Sequence, residues 1–119
     1  MSLRLALLKI PVSDLARSVP FYETVLGQPA AFVAAEFGWA QFHHPEPGLA
    51  LYVPGQGGGD RTPGGSVDFH LSAQDIDALR DRIAAIADTA RIHENADGSR
   101  SLEFKDPDGN DIKIMGASQ

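Results

Sequence analysis

Val12-Ser13-Asp14-Leu15-Ala16-Arg17-Ser18-Val19-Pro20-Phe21-Tyr22, followed by Val25-Leu26-Gly27, is the stretch on which the fold turns. Leu15, Val19, Tyr22, Val25 and Leu26 recur near helical spacing, and Gly27 stands where a helix should stop, so the pattern predicts a helix over 14–26. Pro20 would break a helix interior; Ser18, as the cap of a restarted helix, would put it in a tolerant first turn. Upstream, residues 5–10 are a short apolar run closed by Pro11, which reads as a strand. Downstream, strands are predicted over 30–34, 37–43 and 49–53, with the turn Pro45-Glu46-Pro47-Gly48 between the last two.

The same order returns further along. Shifted by 61 residues, Leu8 and Ile10 fall on Phe69 and Leu71, Asp14 and Leu15 on Asp75 and Ile76, and Leu51 and Val53 on Ile112 and Ile114. Residues 66–71 read as a strand. Ser72 to Asp75 resembles a capping box, and 75–87 carries Ile76, Leu79, Ile83 and Ile86 on one helical face. Strands are predicted over 91–94, 101–105 and 111–115, with turns at 95–98 and 106–109. Between the halves, 55–65 is rich in Gly and Pro and reads as a linker. A phosphate-cradling reading of Gly57, Gly58 and Gly59 lacks the Gly-Lys-Ser/Thr and the helix that should follow. The organisation is βαβββ, linker, βαβββ: module one 1–54, linker 55–65, module two 66–119, forming one domain.

The stretch quoted first resembles the first-helix motif of the vicinal oxygen chelate superfamily (glyoxalase/bleomycin resistance protein/dioxygenase). Phe104-Lys105-Asp106-Pro107-Asp108-Gly109-Asn110 resembles that superfamily's last hairpin, and the resemblance covers nearly the whole chain. It implies an α+β fold in which two βαβββ modules form curved mixed sheets around a cavity. It also implies a homodimer. Fold does not fix function here, because the superfamily includes lyases, isomerases, dioxygenases, thiol transferases and proteins that only sequester drugs.

In metal-using relatives the ligands, typically His and Glu, sit on the first and last strands of each module. Carried onto this chain through the helix-opening Asp and the turn Gly, those positions are Leu7, Tyr52, Asp68 and Lys113. Leu has no donor atom, protonated Lys repels a metal, and Tyr would first have to lose a proton of pKa about 10. No metal site and no cofactor are therefore expected. Asp68 and Lys113 instead suggest an ion pair where a metal would sit.

Strand alternation puts Lys9, Ala50, His70, Asp111 and Met115 on the face of those four positions. Lys9 either lines a cavity or snorkels at a sheet edge. His70 is either a general base or a hydrogen-bonded structural histidine. Trp39 and Gln41 share a strand face, and Trp39 would stack on a flat ligand or pack in the core. His43 and His44, on opposite strand faces, make a poor metal pair. Phe21, Tyr22, Phe32, Phe69 and Phe104 read as core. The candidate ligand-binding set is Lys9, Trp39, Gln41, Tyr52, Asp68, His70 and Lys113; catalytic residues are not assigned.

The 119 residues are 43% hydrophobic, enough for a core, and contain no cysteine, which excludes disulfides and thiolate metal sites. The net charge of −6 disfavours nucleic acid and, by long-range steering, favours cationic over anionic ligands. No apolar run approaches the roughly 20 residues of a membrane span, and residues 1–10 lack a signal-peptide layout. The expectation is a cytoplasmic small-molecule binder that works without a metal. The alternative is a lyase, isomerase or dioxygenase with relocated ligands, or a metal-free enzyme using His70, Lys9 or Tyr52.

Overall fold

Asp14 opens the first helix. Its backbone is extended and its carboxylate accepts a hydrogen bond from the Ala16 N–H at 2.9 Å, satisfying a donor the helix would otherwise leave orphaned. The helix, α1 (Leu15–Leu26), stops at Gly27, which takes the left-handed conformation (φ 71°) and donates its N–H to the Glu23 carbonyl. Pro20 lies within α1 without dividing it, which corrects the expected restart at Ser18. Asp14 already caps the helix, Pro20 forfeits only one backbone hydrogen bond, and Ser18 is buried.

The computed structural model describes residues 5–42, 47–65 and 69–116. The chain divides into two compact units, Met1–Gly65 and Ser66–Gln119. In the first, β1 (Leu7–Pro11), β2 (Ala30–Ala34), β3 (Trp39–Phe42) and β4 (Gly48–Tyr52) form a mixed sheet in the order β1-β4-β3-β2. Strand β1 runs parallel to β4 and the other neighbours are antiparallel. A 3-10 turn at Ala35–Phe37 takes the start of the strand expected over 37–43, so β3 begins only after Gly38. Ile10, Ala40, Phe42, Leu49 and Leu51 are buried along with Phe21, Tyr22 and Val25 of α1, which packs on β3 and β4. Phe32, expected in the core, is 52% exposed, because β2 is an edge strand.

The second unit repeats the plan. Strands β5 (His70–Ala73), β6 (Arg91–Glu94), β7 (Arg100–Lys105) and β8 (Asp111–Gly116) form a mixed sheet in the order β5-β8-β7-β6. Helix α2 (Ile76–Ala84) starts at Asp75, whose carboxylate accepts from the Ala78 N–H at 3.1 Å. The capping box expected from Ser72 is not made, because Ser72 belongs to β5. Ile76 and Ile83 are buried, as are Leu102, Phe104, Ile112 and Ile114, whereas Ile86, beyond the helix end, is exposed. Asp77, in the first turn of α2, finds its partner outside the helix. Arg100 of β7 donates to its carboxylate at 2.7 Å and holds that carboxyl below the usual range, while the pair itself is exposed. The fold is therefore α+β: two four-stranded mixed sheets, each with one helix.

Candidate functional site

In the first unit, cross-strand pairing groups the candidate residues on one face. Lys9, Ala50 and Gln41 are direct neighbours in one row across β1, β4 and β3, and Pro11, Tyr52 and Trp39 make the next row. The Trp39 Nε1–H donates to Gln41 Oε1 at 3.2 Å. The chain itself covers this face. After β4, residues 55–59 turn back, closed by the Gly55 N–H donating to the Gly59 carbonyl at 3.0 Å. Lys9 Nζ donates to the Gly58 carbonyl and lies 5.3 Å from the centroid of the Tyr52 ring, a cation–π distance. A Cβ added at Gly58 would lie 2.9 Å from Tyr52 Cβ and 3.0 Å from Trp39 Cε3; one at Gly59 would lie 2.8 Å from Tyr52 Cε2.

These glycines, read in sequence as a linker, rest on two aromatic rings because they have no side chain. Tyr52 is only 3% exposed as a result. Lys9 snorkels from an edge strand, and its amine serves as a latch for the loop. Replacing Lys9 with Met is expected to destabilise the chain by about 0.5–1.5 kcal/mol, through loss of one charge-assisted hydrogen bond and one partly exposed cation–π contact. Urea unfolding of the two proteins measures this, and an unchanged midpoint and slope would show that the latch carries no energy.

In the second unit the corresponding face is open. His70, Lys113, Glu103 and Arg91 form one unbroken cross-strand row over β5, β8, β7 and β6. The row lies in a pocket of about 400 Å³, also lined by Phe69, Thr89, Lys105 and Asp111. Lys113 Nζ stands 3.9 Å from Glu103 Oε2, which accepts the Ser101 hydroxyl at 3.0 Å. Lys105 and Asp111 pair at 2.6 Å. The expected partner of Lys113, Asp68, lies outside the described residues, as do His43 and His44. Within the described residues the ion pair of Lys113 is with Glu103. Arg91, Glu103 and Lys105 are pocket residues that the sequence reading did not single out. Alternation of Ser101, Glu103 and Lys105 along one strand face carried the signal, but it needed the cross-strand register to become a site.

A family model for the glyoxalase/bleomycin resistance protein/dioxygenase superfamily matches residues 4–114. The chain belongs to this superfamily. Among solved structures, it is similar to a glyoxalase/bleomycin resistance protein from Catenulispora acidiphila, at 23% identity and a TM-score of 0.74, covering 98% of this chain and 100% of that one. A superfamily member from Sphaerobacter thermophilus matches at 23% identity and a TM-score of 0.75, covering 98% of each chain. A lactoylglutathione lyase from Agrobacterium tumefaciens matches at 20% identity and a TM-score of 0.74, covering 94% and 92%. At these identities the likeness is one of fold. A comparison with curated proteins returns no match.

The superfamily's metal can be tested against the residues present. Leu7 offers no donor atom. Tyr52 is buried under the glycine loop with the Lys9 ammonium against its ring, which repels a second cation. Lys113 is itself a cation, beside Glu103. Among the described residues, no three His, Cys, Asp or Glu side chains converge. These residues do not fit the superfamily's metal, so no chemical step is routed through one.

Proposed function

We propose that this superfamily member binds a small organic molecule, without a metal, on the open sheet face of its second unit. The observation that carries the reading is the second-unit pocket, whose volume of about 400 Å³ falls in the range of small-molecule sites and whose floor is a row of polar side chains. His70 and Lys113 of the candidate set belong to this site. Lys9, Trp39, Gln41 and Tyr52 form a second, loop-covered face. A metal-free isomerase or lyase reading has one observation in its favour: His70 is exposed and lines the same pocket, where an imidazole can serve as a general acid or base. The proposal includes a single domain built from modules 1–54 and 66–119 joined by 55–65, a homodimer and residence in the cytoplasm. No helix among the described residues is long and apolar enough to cross a membrane.

Metal analysis of purified protein, with calorimetric titration of Ni, Zn, Mn and Fe(II), is expected to give no stoichiometric binding. A thermal-shift screen of small polar aromatics should give saturable stabilisation. A ligand that binds only the folded state contributes about 2.7 kcal/mol at 100 times its Kd. Tight one-to-one metal binding would overturn the metal-free reading, and turnover lost in His70→Gln would favour the enzyme.

A further inference from the structure

The chain carries a net charge of −6, which taken as a whole favours a cationic ligand. The pocket has the opposite balance. Its described lining holds three cations, Arg91, Lys105 and Lys113, against two carboxylates, Glu103 and Asp111, with His70 beside them. The carboxylates are already engaged. Asp111 holds Lys105 at 2.6 Å, and Glu103 Oε2 takes the Ser101 hydroxyl at 3.0 Å with Lys113 Nζ at 3.9 Å. Arg91 is the direct cross-strand neighbour of Glu103, yet its side chain makes no ion pair or hydrogen bond among the described residues. The one cation in the pocket whose charge nothing described answers is thus a guanidinium, on the exposed edge strand β6.

A guanidinium is planar, stays charged at any working pH, and presents parallel N–H donors that match a carboxylate in bidentate fashion. Lys113 lies two strands away in the same row, roughly 10 Å at the usual strand spacing. It provides a second positive group at the reach of a small organic body. We propose that the pocket selects small organic carboxylates, with Arg91 gripping the carboxylate and the rest of the molecule lying along the row toward Lys113 and His70. This inference rests on the small-molecule reading above and adds the ligand's charge to it.

The test uses the full chain and matched probes at constant ionic strength: substituted benzoates, the corresponding benzamides and benzylamines, and inorganic phosphate. Calorimetry and thermal shift are run on the native chain, on Arg91→Gln, and on Arg80→Gln, which removes the same charge from exposed α2. The acids are expected to bind at least about tenfold more tightly than their amides, with phosphate alone binding weakly. Arg91→Gln should erase that preference and Arg80→Gln should keep it. Circular dichroism of unliganded Arg91→Gln should match the native chain, because Arg91 is exposed. If amides or amines bind as well as the acids, or if the preference survives Arg91→Gln, the carboxylate inference falls and the small-molecule reading stands. If no probe of any charge binds, both fall.

Discussion

Gly58→Ala is expected to destabilise the chain by about 1–3 kcal/mol, the usual cost of forcing extra atoms into a filled site, and to uncover Trp39. The added methyl would sit 2.9 Å from Tyr52 Cβ and 3.0 Å from Trp39 Cε3. Tyr52 Cβ is fixed to a strand backbone paired on both sides, by β1 and by β3, so no rotamer moves it away. The loop must lift instead, and lifting it pulls the Gly58 carbonyl from Lys9 Nζ. Trp39 is the only tryptophan, so its emission reports this one place. A red shift and faster acrylamide quenching are the expected readouts, alongside a lower urea midpoint. Asp60→Ala, an exposed change in the same loop, should leave all three alone. Unchanged stability and quenching in Gly58→Ala would mean that the loop does not rest on these rings. The consequence for function is direct: of the two sheet faces, the first has Tyr52 and Trp39 covered by its own chain, so a ligand stacking on those rings requires the loop to leave.

Most of the fold was legible because its punctuation is chemical. Asp14 and Asp75 each accept a backbone N–H at a helix start, and Gly27 and Gly109 take positive φ where the chain must turn. Alternation placed Lys9, Tyr52, His70 and Lys113 on the sheet faces where pairing puts them. The sites were less legible, for two physical reasons. A glycine run reads as flexible because it has no side chains, yet it is the missing side chains that let Gly58 and Gly59 lie against Tyr52 and Trp39. The Lys113–Glu103 pair depends on how β7 registers against β8, and that follows from the geometry of the intervening turn rather than from either strand's own pattern. Phe32 failed as a core residue for a related reason, since its apolarity says nothing about which strand ends at the sheet edge.

The turn that sets this register gives the largest expected effect. Asp106→Ala should cost about 2–4 kcal/mol, because it strands several donors at once and each buried unsatisfied donor costs about 1–3 kcal/mol. Asp106 is buried, and its Oδ1 accepts from the Asp108 N–H at 2.9 Å and the Asn110 N–H at 2.8 Å. Its Oδ2 accepts from Asn110 Nδ2 at 2.8 Å, and Asn110 is buried as well. Alanine removes both acceptor oxygens and with them three hydrogen bonds, two of them from buried Asn110. For a chain of this size the melting temperature should fall by roughly 10 °C. Asp106→Asn keeps one oxygen for the two backbone donors but turns an amide toward Asn110 Nδ2, so an intermediate loss is expected. The two substitutions together separate a hydrogen-bonding role from mere space filling, since both side chains of the native and Asn forms occupy nearly the same volume. Loosening the turn also frees β7 to slide on β8, and a slip of one residue would carry Glu103 to the other face of the sheet. Pocket binding should therefore weaken in Asp106→Ala even at temperatures where the chain stays folded. Binding unchanged at such temperatures would show that the strands hold their register without the turn, and that the row of His70, Lys113, Glu103 and Arg91 is fixed by sheet packing alone.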